Sequence, residues 1–151
     1  MSIRGRNASG LLNQSITLEM PLDGTTDAAL YACLRSHVFI KEAGCTITNG
    51  SVGDYVSTDG NTKRVILKKQ SPGDSAAVAL CTFSFAANAL VGTELTTRDG
   101  SENWQAAYKN AADRVFPKGT KFFCTPAGDG GSANDRAICY IQIEEAGATP
   151  A

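Results

Sequence analysis

The chain has 151 residues, the length of one ordinary domain, and 42% of them are hydrophobic, which is enough to build a packed core. Its 14 basic and 15 acidic residues give a formal net charge of −1, so no global positive field would recruit nucleic acid or an anionic membrane. No apolar run approaches the roughly 20 residues that span a bilayer, and the N-terminal MSIRGRNASG lacks the hydrophobic stretch of a secretion signal. We expect a protein made and folded in a reducing cytoplasm, with no nucleic acid and no membrane among its partners.

The N-terminal residues 1–15 contain glycines, asparagines and arginines without periodicity, which predicts an extended arm. From Ile16 the sequence SITLEM alternates polar and apolar residues with a period of two, as a half-buried strand does. Pro21 then ends the strand. We predict three parts: a flexible arm at 1–15, one β-sandwich domain at 16–144 and a C-terminal tail at 145–151.

The segment 28–41, AALYACLRSHVFIK, is compatible with two structures. As a helix it would place Ala28, Tyr31 and Leu34 on one face. As a strand it would place a longer set on one face: Leu30, Ala32, Leu34, Ser36, Val38 and Ile40. The β-branched and aromatic second half favours the strand.

Turn residues divide the middle of the chain into short strands. Asn49-Gly50 separates 46–48 from 55–56, and the turn 59–61, Asp-Gly-Asn, separates 55–56 from 65–67. Glycine and asparagine supply the positive φ of tight hairpin turns, so this pattern predicts antiparallel hairpins. A buried strand follows, with one face formed by Ala79, Cys81, Phe83 and Phe85.

One stretch interrupts the β pattern. Four apolar residues recur there at helical spacing: Trp104, Tyr108, Ala111 and Val115. Ser101 can cap the first turn, and Glu102 stands near the positive end of the helix dipole. We therefore predict a single short helix at about 102–114, ended by Pro117, with the tryptophan and the tyrosine packed against the core.

The sequence after the helix predicts a long Gly-rich hairpin. Its first strand is Thr120 to Thr125, its loop is Pro126 to Asp135, and its second strand is Arg136 to Glu144. On the second strand, Ala137, Cys139, Ile141 and Ile143 share one face. Alternation predicts that five residues of the hairpin help to close the core: Phe122, Cys124, Cys139, Ile141 and Ile143.

Many short strands, Gly-rich turns and one helix predict a mainly β fold, an antiparallel β-sandwich or jelly-roll-like barrel. No repeat of 20 to 50 residues is present, which argues against solenoids and propellers. A sandwich is a scaffold, so its function has to be argued from its sites.

Candidate catalytic and metal-binding residues are few. His37 is the only histidine, which excludes metal sites built from several histidines, and no nucleophile motif surrounds it, so we interpret it as structural. The loop AGDGGSAND offers oxygen ligands for calcium at Asp129, Ser132, Asn134 and Asp135, but it lacks the ligand order and closing Glu of an EF-hand. We therefore interpret it as a solvated loop and expect no catalytic residue, no metal and no cofactor.

The five cysteines contain no CxxC pair and are odd in number, which indicates neither a zinc knuckle nor a closed disulfide framework. Their positions are Cys33, Cys45, Cys81, Cys124 and Cys139. A free cysteine packs as a small apolar residue, so we predict reduced, buried thiols.

Taken together, the polar arm, the strand SITLEMPL, the β-rich middle and the closing ADRVFPKGTKFF…ICYIQIEE resemble the small structural proteins of tailed bacteriophages, the capsid decoration or cement class. The resemblance covers most of the chain in its general pattern and is not tied to a specific motif. This chain departs from many such proteins in having five cysteines and a helix that carries the only tryptophan. It implies a non-enzymatic protein of the virion that forms trimers and clamps neighbouring major capsid protein subunits. The alternatives are a major shell, neck or tail protein, or a carbohydrate- or receptor-binding module that would need Trp104 and Tyr108 exposed. An enzyme that uses a cysteine and His37 ranks last.

Overall fold

Antiparallel β-strands form the framework of the protein. The computed structural model describes residues 13–24, 27–33, 37–51, 53–54, 56, 62–98, 104–127 and 134–145. The strands in these ranges are β1 (Asn13–Pro21), β2 (Ala28–Ala32), β3 (Val38–Asn49), β4 (Lys63–Gln70), β5 (Val78–Phe85), β6 (Glu94–Thr96), β7 (Val115–Phe116), β8 (Lys121–Pro126) and β9 (Arg136–Glu145). Two short 3-10 helices, Ala106–Tyr108 and Ala111–Arg114, precede β7.

These strands form two sheets whose order is that of an eight-stranded jelly roll. The first sheet has the order β1-β9-β3-β6, with the two-residue β7 also paired to β3, and the second has the order β2-β8-β4-β5. All strand pairs are antiparallel, and the chain repeatedly crosses from one sheet to the other between consecutive strands. Two four-stranded sheets connected in this way form a double-sheet jelly roll. The predicted mainly β fold class is therefore confirmed, and the strand order selects the jelly roll among sandwiches.

The core fills the space between the two sheets, and alternation along each strand decides which residues enter it. On β9 the burial pattern alternates from Arg136 to Glu144, and the four inward residues are at most 1% exposed: Ala137, Cys139, Ile141 and Ile143. On β8 the inward residues include Phe122 and Cys124, as alternation predicted. The core faces assigned to the last two strands from the sequence are thus confirmed.

The strand register places the connections at two opposite ends of the sandwich. At the first end, Pro21 and Asn49 both pair with Arg136, and the β1–β2, β3–β4, β5–β6 and β8–β9 connections meet. At the second end lie the start of β1, the β2–β3 and β4–β5 connections and the chain between β6 and β8. Asn13 pairs with Glu144 there.

The predicted C-terminal hairpin is wrong, although its strand positions are right. β8 pairs with β2 and β4 in the second sheet, whereas β9 pairs with β1 and β3 in the first. The connection between them therefore crosses from one sheet to the other. Turn residues mark where a chain can reverse, but the choice of hydrogen-bonding partner depends on strands distant in sequence.

The first hairpin predicted around Asn49-Gly50, which paired 46–48 with 55–56, is not observed: Val56 lies outside the named strands and its N–H donates to the carbonyl of Ala89, while residue 55 lies outside the described residues. β3 and β4 lie in opposite sheets, so no ladder joins them. The glycines instead close a tight local turn, in which Gly50 and Gly53 form an isolated antiparallel bridge. Gly53 has a φ of 81°, a conformation that favours glycine. Residues 57–61, with the second predicted turn, lie outside the described residues.

The helix predicted at about 102–114 is replaced by the two 3-10 helices, while Ser101 and Glu102 lie outside the described residues. Asn110 has extended backbone angles, φ −82° and ψ 139°, and this breaks the helical path. The carbonyl groups of Tyr108 and Lys109 accept hydrogen bonds from the Arg114 guanidinium, both at 3.0 Å. Those carbonyls would accept backbone N–H groups in an α-helix, so the arginine competes with helix propagation.

The preferred strand interpretation of segment 28–41 is right about the type of structure but wrong about its continuity, because the segment forms two strands in opposite sheets, β2 and the start of β3. Leu30, Val38 and Ile40 are buried, whereas residues 34–36 lie outside the described range. Residues 13–15, which the sequence placed in the arm, already pair with β9. The rest of the arm, 1–12, and the tail from 146 onwards lie outside the described residues.

Candidate assembly surfaces

His37, Asn134 and Asp135 are the candidate catalytic and metal-ligating residues that the structure describes. His37 lies half-buried immediately before β3. Across the ranges that the structure describes, no three His, Cys, Asp or Glu side chains stand close enough together to share a metal ion. In the same ranges, no helix is long and apolar enough to cross a bilayer.

The end of the acidic loop has a structural role that the sequence analysis missed. Asp135 is fully buried, and its carboxylate accepts the backbone N–H of Ser51 at 2.8 Å. Its backbone carbonyl accepts the N–H of Leu22 at 2.7 Å. The backbone carbonyl of Asn134 accepts the Asn49 side-chain amide at 2.7 Å.

The interpretation of this segment as a solvated connector is therefore wrong at Asp135, which ties three connections together at the first end. Asp129 and Ser132 lie outside the described residues. An acidic residue in a Gly-rich loop is usually solvated, so no local sequence signal distinguishes this one.

The cysteines are all buried and free, as predicted. The Sγ atoms of Cys45 and Cys139, paired across β3 and β9, are 3.4 Å apart, and Cys139 Sγ lies 3.5 Å from the Met20 sulfur. Burial raises the pKa of the Cys33 thiol to about 12. The hydrogen bond with Cys139, together with burial, raises the pKa of the Cys124 thiol. Thiols held in the protonated form are poor nucleophiles, so this arrangement supports packing rather than cysteine catalysis.

Arg114 holds the segment between β6 and β7 against the first sheet and was not singled out from the sequence. It is only 8% exposed, and its Nε donates to the carbonyl of Ile40 at 3.0 Å. Its guanidinium carbon lies 4.7 Å from the centre of the Trp104 ring. Burial lowers the pKa of this guanidinium.

The same contacts decide the exposure of the two aromatic residues predicted to pack. Trp104 is 8% exposed and lies beneath Arg114, while Tyr108 is half-buried with its ring centre 5.9 Å from that of Phe116. Their predicted packing is confirmed. A carbohydrate-binding module would need these two rings as an exposed stacking platform, and neither ring is exposed in that way.

An apolar groove lies along β2 at one edge of the second sheet. It has a volume of about 490 Å³, and its walls include Ala29, Tyr31 and Phe123, with the polar Gln70 and Lys121 on one side. The sequence held a signal for it: Phe122 and Phe123 are adjacent in a strand, so one ring enters the core and the other must face outward.

An apolar tip lies at the other end of the molecule, in the β5–β6 connection. Leu90 is 59% exposed and Val91 is 40% exposed. In the sequence these two residues form an apolar pair that lies beyond the end of β5 and is followed by Gly92. Among the described residues, the groove and the apolar tip both expose apolar side chains, as surfaces that contact another protein do.

Comparisons with known proteins leave the family open. No protein-family model matches the chain, and no curated protein matches it. Among solved structures, a chain from desmodium yellow mottle tymovirus is similar over 89% of this chain and 87% of its own length, with 14% identity and a TM-score of 0.34. A TM-score this low supports no conclusion about the role of this protein. Its fold class follows from its own strand order.

Proposed function

We propose that the protein is a non-enzymatic structural subunit of a virus particle, and more specifically a decoration protein that clamps major capsid protein subunits of a tailed bacteriophage. It would be made in the host cytoplasm and reside in the virion. The observation that carries this proposal is the jelly-roll strand order, β1-β9-β3-β6 facing β2-β8-β4-β5. Double-sheet jelly rolls recur in viral capsid domains, lectins and cupins.

Two features favour the capsid role among those three. The packed Trp104 removes the chain's single tryptophan as a platform for stacking sugars, which disfavours a lectin. The single histidine disfavours enzymes built on several histidine ligands. A clamp needs a rigid core and lateral contact surfaces rather than catalytic groups.

A shell subunit is the second candidate, because the jelly roll is itself a capsid architecture. The near-neutral composition favours decoration over this alternative, because a shell that lines packaged nucleic acid benefits from a basic inner surface. The proposed decoration protein would be a homotrimer with closed cyclic symmetry, as the resemblance to the decoration class implies.

Density-gradient sedimentation with electron microscopy tests the proposal. The purified chain is sedimented alone and after mixing with phage particles that lack it. A decoration protein stays small alone and moves with the particles in the mixture, whereas a shell subunit forms closed particles by itself. A chain that neither binds particles nor forms them would overturn both candidates.

A further inference from the structure

The apolar tip is held rigidly in an exposed position. The backbone N–H of Val91 donates to the carbonyl of Asp54 at 2.7 Å, and that of Gly92 donates to the carbonyl of Ile47 at 2.8 Å. The N–H of Thr93 donates back to the carbonyl of Leu90 at 3.0 Å. Because this backbone is tied to its neighbours, Leu90 and Val91 cannot turn inward without breaking several hydrogen bonds. A fixed, exposed aliphatic pair is typical of a contact with another protein.

The apolar groove is a surface of matching chemistry. Ala29 and Phe123 are directly paired across β2 and β8, and Tyr31 packs partly against the core. Lys121 sits exposed at one wall, paired in register with Ala32 and Gln70. The groove therefore combines an apolar lining with the cationic Lys121 at one side, while burial, Cys33 and the nearby Glu145 carboxylate, in that order, raise the pKa of the Tyr31 hydroxyl.

The charges beside the two surfaces are opposite. Asp54 is exposed and joined through its backbone to the apolar tip, whereas Lys121 is exposed beside the groove. Within the described residues, neither side chain forms an ion pair. Asp54 beside the tip of one copy and Lys121 beside the groove of another would attract each other and fix the orientation of a contact.

The two surfaces cannot meet within one molecule. The β5–β6 connection lies at the first end of the sandwich, while Ala32 and Lys121, beside the groove, lie towards the second end. A contact between them must join two copies head to tail. Such heterologous contacts close into rings when the rotation between copies allows it.

We propose that the apolar tip of one copy, Leu90 and Val91, inserts into the groove beside β2 of the next copy, with Asp54 of the first facing Lys121 of the second. This inference rests on the proposed structural role and names the contact by which the subunits associate with one another. A ring of three copies joined in this way would use each tip and each groove once.

The test measures self-association of the full chain by light scattering during size-exclusion chromatography over a range of concentrations. Leu90→Asp should weaken association about tenfold or more, because the tip would then carry a charge into an apolar groove. Val78→Asp is the matched control, because Val78 is another exposed aliphatic residue, 40% exposed against 59% for Leu90, and lies on β5, at the opposite edge of its sheet from the groove. This control should associate as the parent does, and both variants should melt as the parent does.

A charge exchange tests the orientation. Asp54→Lys and Lys121→Glu should each weaken association, and the double variant should recover it, since the attraction is then restored with reversed signs. A parent that stays monomeric at high micromolar concentration would overturn the inference. So would oligomers that are indifferent to Leu90→Asp, or a Leu90→Asp variant that loses only particle binding, because the tip would then dock on a different protein.

Failure of this inference is distinguishable from failure of the proposed function. Particle binding by an oligomer that ignores these substitutions would contradict the contact but support the structural role. A tip-dependent oligomer that neither binds nor forms particles would support the contact and contradict the role.

Discussion

The ring of Tyr140 lies directly over the backbone of Gly44 on the outer face of the first sheet. The two residues are paired across β3 and β9. A Cβ placed on Gly44 would stand 2.6 Å from Tyr140 Cζ and 2.7 Å from its hydroxyl oxygen. The hydroxyl donates a hydrogen bond to Glu42 at 2.8 Å, which fixes the ring in place. Close approach of the ring, rather than an unusual φ, therefore requires glycine at this position.

Gly44→Ala should destabilise the protein by about 1–3 kcal/mol, the usual cost of forcing extra atoms into a packed site. The methyl group would displace the Tyr140 ring and weaken its hydrogen bond to Glu42. Urea denaturation of Gly44→Ala, Tyr140→Ala and the double variant measures the coupling. Most of the alanine penalty should disappear once Tyr140 is removed, and a penalty that persists in full would contradict the steric explanation.

Ile141→Ala should cost roughly 2–5 kcal/mol of unfolding free energy, because it empties a fully buried aliphatic site. Ile138→Ala provides the control on the same strand. Ile138 is only partly buried on the outer face, where it pairs with Glu19 and Thr46. Its truncation should cost well under half as much, and equal costs by chemical denaturation would contradict the assigned faces of β9.

Arg114→Met should destabilise the protein by about 1–3 kcal/mol, because it keeps much of the side-chain volume but leaves buried carbonyl groups without their donor. The fluorescence of Trp104, the only tryptophan, should change as well, since the guanidinium lies over its ring. Arg136→Met is the control: Arg136 forms a partly exposed ion pair with Glu19 at 2.6 Å. That variant should lose less than about 1 kcal/mol and leave the fluorescence unchanged.

Titration with a water-soluble disulfide reagent should detect few thiols in the native protein and all five after denaturation. Burial keeps the reagent out, and the pKa of Cys33, raised to about 12, leaves almost no thiolate near neutral pH. Rapid native labelling of Cys33 would contradict the described packing. A large fall in melting temperature on adding reductant would reveal a disulfide and contradict the free thiols.

Asp27 should give the protein a small acid-sensitive contribution to stability. The Thr125 hydroxyl, which donates to this carboxylate at 2.6 Å, lowers the pKa of Asp27; burial opposes this, and the nearby Lys68 ammonium lowers it further. The contribution is complete above the ordinary pKa of 3.8 and is lost as pH falls through the depressed folded-state pKa.

Because the Asp27 side chain is 42% exposed, its contribution should stay below about 1 kcal/mol. Denaturation of the parent and of Asp27→Asn at about pH 6 and about pH 3 checks it. The two proteins should differ more at the higher pH. A difference that grows on acidification would contradict the sign.

The candidate surfaces were visible in the sequence only as local irregularities. Adjacent phenylalanines in β8 require one ring to face outward, and Leu90-Val91 extends an apolar run past the end of β5. Neither pattern indicates that one surface is a groove or that the two lie at opposite ends. Those properties depend on how β2 and β8 pair and where the β5–β6 connection is held.

The sequence by itself determined where most strands run and which of their faces are buried. A period of two along β9 is a local property of the backbone, so it survives in any sheet that the strand joins. The local spacing of apolar residues likewise predicted that Trp104 and Tyr108 pack against the core. This holds although two 3-10 helices replace the single helix that was predicted there.

Only the tertiary structure decided which strands are partners. β8 and β9 are neighbours in sequence yet lie in opposite sheets, and the Asn49-Gly50 turn joins no hairpin. Hydrogen-bonding groups are the same on every strand, so alternation and turn residues cannot choose among partners. The partners are set because all the apolar faces have to pack into one common core. Asp135 and Arg114 bind backbone groups that are distant in sequence, and these groups come together only in the packed structure.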